Sequence, residues 1–329
     1  MSRDFLDTLR ADGVVSQGDV SLEPLAGGVS SDIYLVVDGD QKFVVKRALA
    51  KLKVEADWFA DVSRNETEKD YIEYVGGITP ACVPKILGSG DGYFVMEYLG
   101  DGFANWKQSM LEGQFDSERA RMAGSFLGQI HSRSSMDRNL AERFDKMESF
   151  WQLRIEPYLV TTGLKHPELE ILFLDEANRL KTESSALIHG DFSPKNMLFS
   201  DDRLVVLDCE VACYADPAFD VGFLLTHLFL KALYHKNYYP EIVDMIDGFR
   251  SAYSEMNPDL EVRVSRLLLM LLLTRVDGKS PVEYLTEDSS KKFVRTFTSR
   301  ELLAELFDLE DLKEKWFAGL RNLADQGVS

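Results

Sequence analysis

One short stretch, HGDFSPKNMLFSDDRLVVLDCE, constrains the fold and chemistry of this chain more than any other. Two apolar runs, Met197–Phe199 and Leu204–Leu207, flank the tetrapeptide Ser-Asp-Asp-Arg. That composition is typical of a turn between strands, so we predict a β-hairpin. Asn196 precedes the first strand and Asp208 follows the second. The hairpin is therefore expected to bring these two side chains together, with Asp191 close by.

The three polar side chains of this stretch match what phosphoryl transfer requires. A carboxylate must orient the attacking hydroxyl, while an amide and a second carboxylate hold Mg²⁺ on the phosphates. We therefore predict Asp191 as the catalytic base, and Asn196 and Asp208 as catalytic metal ligands. The structural alternative is an ordinary hairpin with polar turns.

The combination His-Gly-Asp-x4-Asn, followed by an apolar strand that ends in Leu-Asp-x-Glu, resembles a known catalytic core. It is similar to the aminoglycoside phosphotransferase/choline kinase-like family, whose members are small-molecule relatives of the protein kinases. The resemblance implies an α+β, bilobal protein kinase-like fold, with a small antiparallel-sheet N-lobe and a larger, mainly helical C-lobe. It also implies ATP or GTP with Mg²⁺, and a small-molecule hydroxyl group as phosphate acceptor.

The beginning of the chain has the pattern strand, glycine loop, strand, turn, strand, which is typical of a kinase small lobe. The loop contains Gly27, Gly28, Ser30 and Ser31, whose backbone N–H groups and hydroxyls are suited to phosphate oxygens. A simple turn explains two glycines equally well. Lys46 ends the third strand, where a lysine is ordinarily solvated. The resemblance implies instead that it pairs with the α/β-phosphates.

A lysine in this role requires a glutamate on the following helix to position it. Residues 63–75 are predicted to form that helix, and both Glu66 and Glu68 are candidates. Glu68 lies four and seven residues before Ile72 and Val75, so it shares their inward face. We choose Glu68, with Glu66 as the alternative.

The strand that ends in Phe-Val-Met-Glu-Tyr-Leu breaks at Gly-Asp-Gly and resembles a kinase hinge. Backbone groups near Glu97 and Leu99 are expected to hydrogen-bond adenine, and Met96 is expected at the back of the pocket. A core strand that simply ends at a loop gives the same pattern. Hinge recognition uses the backbone, so the two readings are compatible.

We predict two domains. An N-terminal nucleotide-binding lobe spans residues 1–100, with its hinge at about 96–102, and a catalytic and substrate-binding lobe spans residues 103–329. His131 ends a helix of the second lobe and is interpreted as structural. The apolar run Leu267–Leu273 is too short to cross a bilayer, so we expect a buried helix.

Four charged residues are candidates for contact with the acceptor. Lys195 lies in the segment 189–196, which we call the catalytic loop, and is also a candidate for contact with the γ-phosphate. Glu210 belongs to the Asp-x-Glu ending, and its role is open. Asp220 follows Asp216 in an Asp-Pro-x-x-Asp pattern. We interpret both aspartates first as structural supports of the catalytic loop, and contact of Asp220 with the acceptor is the alternative. Arg275 begins a charged segment between two helices, and a solvated loop is the alternative there.

The formal net charge of −18 disfavours nucleic acid and anionic membrane surfaces as partners. It suits a cationic acceptor, although an acidic, solvated surface explains it more simply. The three cysteines fit neither a disulfide framework nor a zinc pattern, and the N-terminus lacks an apolar core region. Both features favour a cytoplasmic protein.

Family resemblance leaves the acceptor open among aminoglycosides, choline or ethanolamine, homoserine, methylthioribose and related sugars, because fold does not imply substrate. A catalytically inactive, nucleotide-binding pseudokinase that acts as an interaction module is the rival class. A protein kinase is disfavoured, because no Ala-Pro-Glu ending follows Asp208.

Overall fold

The computed structural model describes residues 2–25, 31–49, 64–237 and 239–326. Two compact units comprise Met1–Ala104 with Ser200–Val211, and Asn105–Phe199 with Ala212–Ser329. We call the first the small unit and the second the large unit.

The strands of the described residues are β1 Val20–Pro24, β2 Ser31–Asp38, β3 Gln41–Ala48, β4 Ile86–Gly90, β5 Tyr93–Glu97, β6 Ala104–Asn105, β7 Ala186–Ile188, β8 Met197–Phe199, β9 Leu204–Val206 and β10 Cys213–Ala215. The α-helices are α1 Ser2–Ala11, α2 Arg64–Ile78, α3 Trp106–Leu111, α4 Ser117–Ser134, α5 Arg138–Arg143, α6 Met147–Phe150, α7 Thr161–Lys165, α8 Glu170–Thr182, α9 Ala218–Tyr234, α10 Tyr239–Ala252, α11 Pro258–Asp277, α12 Asp288–Ala304 and α13 Leu309–Gln326. Short 3-10 turns cover Pro80–Cys82 and Pro194–Asn196, and a π-helical segment covers Trp151–Val160.

The small unit is built on an antiparallel sheet of order β1-β2-β3-β5-β4. Side chains alternate between the two faces of a strand, so the two faces of β3 have different neighbours. Phe43 and Val45 join Phe5 in one apolar core. Val44 and Lys46 belong to the other face, and helix α2 contacts β3, β4 and β5.

Helix α2 directs a mixed set of side chains inward. Tyr71, Ile72 and Val75 are buried, and so is Glu68, which lies one helical turn before Ile72. The i, i+4 and i+7 spacing that the sequence displays thus places one acidic side chain within an otherwise apolar stripe.

The large unit is mainly helical, with α4 packed on α10 and α9 packed on α11. Close approach of α4 and α10 depends on Gly124, where an added Cβ would lie 2.4 Å from the Phe249 carbonyl oxygen. The cap of α11 is Asn257, whose side chain accepts a hydrogen bond from the Leu260 N–H at 3.1 Å. Leu267–Leu273 lies within α11 and is buried, as predicted.

The fold class is confirmed: an antiparallel-sheet unit is combined with a mainly helical one. None of the helices in the described ranges has the length and apolar character needed to cross a membrane.

Candidate active site

Lys46 is the centre of a buried charged cluster in the small unit. Only 2% of this residue is exposed. Its Nζ lies 2.9 Å from Glu68 Oε1 and 2.6 Å from Asp208 Oδ1. Glu66 points to solvent, so Glu68 is the helix α2 carboxylate that contacts the lysine. Strand β3, helix α2 and the end of β9 each supply one of the three charges.

A third carboxylate, Glu210, extends this cluster. Its Oε1 accepts a hydrogen bond from Arg64 Nη1 at 3.1 Å, and Ser31 Oγ lies 3.5 Å from its Oε2. One oxygen from each of Glu68, Asp208 and Glu210 lies within 4.8 Å of the others. With Lys46 these five charged groups form what we call the Lys46 cluster, in which three carboxylates outnumber two cations.

The electrostatics of the cluster keep Lys46 charged. Burial lowers the pKa of a lysine, but the neighbouring Asp208, Glu68 and Glu210 carboxylates outweigh burial and raise the pKa of Lys46 above its ordinary value. Burial raises the pKa of Glu68 to about 7; Lys46 opposes that rise, while Asp208 and Glu210 add to it. An all-oxygen donor set with excess negative charge fits Mg²⁺.

Asp208 has an unusual backbone conformation. It is one of the non-glycine residues with positive φ, at 62°. Side chains with a Cβ enter this left-handed region at a cost of about 1–3 kcal/mol, and such residues cluster at functional sites. Asp208 lies two residues after the end of β9, and this conformation sets the direction of its carboxylate.

The predicted nucleotide-binding residues of the small unit have mixed outcomes. Three of them lie outside the described residues: Gly27, Gly28 and Ser30. Met96 is buried at the end of β5. The Glu97 N–H donates to the Lys85 carbonyl oxygen at 2.9 Å, so this donor is occupied within the unit. Adenine recognition by backbone groups near Glu97 and Leu99 stays a prediction, and the Glu97 N–H is not available to it.

Asp191 is the centre of the catalytic loop in the large unit, and it is 2% exposed. Its Oδ2 lies 3.1 Å from Arg154 Nη2 and 2.9 Å from Lys195 Nζ. The Asp191 N–H donates to His189 Nδ1 at 3.1 Å, and Asn196 Nδ2 donates to the Asp191 carbonyl oxygen at 3.0 Å. The Asn196 amide is thereby oriented with its oxygen as the atom suited to a metal.

The burial and backbone contacts of Asp220 fit its first interpretation, structural support of the catalytic loop. Asp220 is 0% exposed, and its carboxylate accepts backbone N–H groups of His189 at 2.6 Å and Gly190 at 2.9 Å. Each of its oxygens accepts an N–H of the loop, so Asp220 supports the catalytic loop, and its contact with the acceptor stays a prediction. His131 is also buried, with Nδ1 2.8 Å from Tyr253 Oη, which fits its structural interpretation.

Asn196 belongs to the large unit and Asp208 to the small unit. Their predicted partnership as metal ligands therefore stays a prediction. Arg275 is fixed by its neighbours in the large unit: its Nη1 donates to the Ser280 carbonyl oxygen, and to Ser280 Oγ at 3.0 Å. Its contact with the acceptor also stays a prediction.

Comparison with known proteins identifies the family. The model of a family described as "Phosphotransferase enzyme family" matches residues 21–256. This chain belongs to the phosphotransferase enzyme family. The match covers the catalytic loop and all of the predicted nucleotide-binding residues.

Individual relatives of this phosphotransferase-family chain are distant. A methylthioribose kinase from Geobacillus thermodenitrificans is 28% identical over 231 residues, which cover 61% of this chain and 58% of that relative. An amicoumacin kinase in complex with AMP-PNP and Ca²⁺ has TM-score 0.56 and 13% identity, covering 93% of this chain and 96% of the other. A microcompartment-associated aminopropanol kinase has TM-score 0.54 and 16% identity, covering 93% and 99%. The two solved structures share the fold.

Sequence reasoning missed two arginines of the site. Arg64 starts α2, where the helix dipole disfavours a cation, and that conflict was a signal that an acidic partner holds it. Arg154 is the one basic residue of the segment WQLRIEPYLV. A lone cation in a largely apolar helical segment signals a buried carboxylate partner, here Asp191.

Proposed function

We propose that this chain is an ATP- and Mg²⁺-dependent phosphotransferase that moves the γ-phosphate to a hydroxyl group of a small molecule. The observation that carries this proposal is the buried Lys46 cluster, because it combines a positioned lysine with metal-seeking carboxylates. Membership of the phosphotransferase enzyme family supports it.

In the small unit, Lys46 would bind the phosphates of ATP or GTP. Glu68 positions the lysine by its ion pair. Asp208, together with Asn196 of the large unit, would hold Mg²⁺. Bound Mg²⁺ would neutralise charge on the phosphate oxygens. Ser31 stands beside Glu210, whose own partner is Arg64, so Glu210 would shape this site rather than contact the acceptor.

In the large unit, Asp191 would orient the acceptor hydroxyl and take its proton. The hydroxyl oxygen forms a bond to the γ-phosphorus as the bond between that phosphorus and the bridging oxygen of the nucleotide diphosphate breaks, so the products are a phosphate ester and ADP. Arg154 and Lys195 both contact Asp191 Oδ2 and hold the carboxylate in place. Catalysis then depends mainly on positioning and charge neutralisation.

Replacing Asp191 with alanine tests this assignment. We expect Asp191→Ala to lower ADP formation at least about 100-fold, the scale of a general base, while affinity for Mg·AMP-PNP stays unchanged. ADP release with an acceptor panel and calorimetric titration of the nucleotide measure the two effects. Asp201→Ala, an exposed aspartate of the same segment, is the matched control and should behave as wild type.

Wild-type turnover by Asp191→Ala would show that this carboxylate is not the base. If the wild-type protein binds Mg·ATP but releases no ADP with any acceptor, the proposed phosphotransferase activity fails. The binding-module interpretation would then take its place.

A further inference from the structure

A second cluster of charge lies in the large unit, around a small cavity. Its lining includes Lys107, Lys195, Lys231, Arg275, Glu283 and Tyr284. We call this cavity the cationic pocket. It runs against the strongly acidic composition of the chain, because four of these six side chains are basic.

Two of the four cations already have carboxylate partners. Lys107 Nζ lies 2.5 Å from Glu283 Oε1, and Lys195 Nζ lies 2.9 Å from Asp191 Oδ2. Lys231 and Arg275 differ, since neither forms an ion pair with any carboxylate among the residues the structure describes. The cationic pocket therefore contains two basic side chains that no described carboxylate neutralises through an ion pair.

The surroundings of Lys231 are the strongest observation in favour of an anion-binding site. It is 1% exposed, and its Nζ lies over the Tyr284 ring, 3.4 Å from the centroid, with no hydrogen bond to a described residue. Burial, followed by the charge of Lys107, lowers the pKa of Lys231 to about 7. A lysine buried without an anion destabilises the folded state, and such groups concentrate at functional sites.

Two further donors in the pocket have no partner in the described part of the chain. The Tyr284 hydroxyl and Arg275 Nε are both buried without a hydrogen bond. Burial raises the pKa of Tyr284, so its hydroxyl stays protonated and can donate. An ammonium group, a guanidinium N–H and a phenol are together suited to a carboxylate or another small anion.

The cationic pocket is also connected to the proposed base. Lys195 lines the pocket while its Nζ contacts Asp191. The cavity volume is about 20 Å³, which is room for one small polar group. A ligand whose charged end entered the pocket would therefore have the rest of its short chain beside Lys195 and the Asp191 carboxylate.

We propose that the cationic pocket binds the carboxylate of the phosphate acceptor, so that the acceptor is a small hydroxy acid or sugar acid. This inference rests on the proposed phosphotransferase function and names its substrate class. Amine-bearing acceptors such as choline or aminoglycosides would meet Lys231 and Arg275, which form no ion pair with a described carboxylate, and are disfavoured. Acidic composition alone had suited a cationic acceptor, and the local charge reverses that expectation.

Matched acceptor pairs test the proposal. D-gluconate is compared with D-glucose, and D-glycerate with glycerol; choline is the cationic probe and D-glucose 6-phosphate tests whether a phosphate replaces the carboxylate. We expect kcat/KM, from ADP release, to be at least tenfold higher for the carboxylate of a pair. Calorimetric titration of D-gluconate and D-glycerate into protein saturated with Mg·AMP-PNP measures binding independently of turnover.

The variants Lys231→Met and Arg275→Gln should each weaken binding of the preferred carboxylate at least tenfold. Lys236→Met is the control, because Lys236 is paired with Glu287 at 2.8 Å and is absent from the pocket lining. It should bind as wild type does. Methionine is accommodated at a buried position, and retained Mg·AMP-PNP binding shows that each variant is folded.

The proposal is overturned if neutral or cationic members of the panel are bound or phosphorylated as well as the carboxylates. It is equally overturned if Lys231→Met and Arg275→Gln bind carboxylates as the control does, or if D-glucose 6-phosphate alone responds to these variants. Turnover of a neutral acceptor would support the phosphotransferase function and contradict the assignment of the pocket to a carboxylate. Lys231-dependent carboxylate binding without ADP release would support the pocket assignment and contradict the phosphotransferase function.

Discussion

The Lys46 cluster and the cationic pocket each contain a nearly fully buried lysine, yet the two lysines are in opposite electrostatic settings. Lys46 has carboxylates at 2.9 and 2.6 Å, and its pKa is raised. Lys231 lies over an aromatic ring and forms no ion pair with a carboxylate of the described residues. Its pKa is lowered to about 7, and the nearby Glu283 only partly opposes that shift. Burial acts in the same direction on both. The neighbours decide whether the buried charge is stabilised within the fold or is available to an external anion.

The same substitution at both lysines should have opposite effects on stability, and this is the largest expected difference. Lys46→Met removes the cation between the buried Glu68 and the half-buried Asp208, so we expect it to lower the free energy of unfolding by about 3–5 kcal/mol. Lys231→Met replaces a buried unpaired ammonium with an apolar chain, so we expect no loss and a small gain at pH 6. Urea unfolding of the two variants and the wild type measures both effects.

Lys236→Met should shift the unfolding midpoint little, since its ion pair is partly exposed. A large loss of stability in Lys231→Met would mean that the ammonium has a partner in the folded protein, and the contrast between the two lysines would disappear.

Carboxylate binding to the cationic pocket should depend on pH through Lys231. Its pKa is lowered from the ordinary 10.5 to about 7, so the free protein loses this proton as pH rises through 7. A bound carboxylate favours the charged form, and binding above pH 7 must therefore take up a proton. We expect the affinity for D-gluconate to be full below pH 7 and to fall by up to about tenfold per pH unit above it.

Other groups that face Lys231 are His227 on α9, Lys107 on α3, Lys195 in the catalytic loop, Arg275 on α11, and Glu283 and Tyr284 beyond it. Burial, then the neighbouring cations, lowers the pKa of His227 well below its ordinary value, so it is neutral across this range. Calorimetry of D-gluconate binding at pH 6 to 9 measures the effect, and Lys231→Met should flatten the profile. An unchanged pH profile in that variant would assign the titration to another group.

The smallest expected effects compare two neighbouring glutamates. Glu68→Gln leaves two carboxylates against the two cations Lys46 and Arg64, so we expect stability to change by no more than about 1 kcal/mol. The affinity for Mg·AMP-PNP should nevertheless fall several-fold, because Lys46 loses the side chain that positions it. Exposed Glu66→Gln should change neither quantity. Equal loss of nucleotide affinity in both variants would contradict the positioning role of Glu68.

Local patterns in the sequence predicted much of this architecture. Alternating apolar residues and turn composition predicted the strands around Lys46, and the 3.6-residue period placed Glu68 on the same face as Ile72 and Val75. The apolar run of α11 was predicted as a buried helix for the same reason. These predictions depend on interactions within one element or between adjacent ones.

Contacts between distant parts of the chain were beyond such patterns. Three such contacts join residues more than 25 positions apart in the chain. They are Arg64 with Glu210, Arg154 with Asp191, and Asp220 with the backbone of His189. The sequence shows a lysine at position 231, but no local pattern predicts that its side chain is buried. Burial and the identity of neighbours arise only when helices pack, and they set the charge balance.

The sequence by itself determined the residue types of the candidate site, because their spacing along the hairpin and the first strands is local. Only the tertiary structure decided which charges are neutralised within the fold. Electrostatic energy depends on distance and burial in space, so Lys46 and Lys231 look alike in the printed chain and differ in the folded protein.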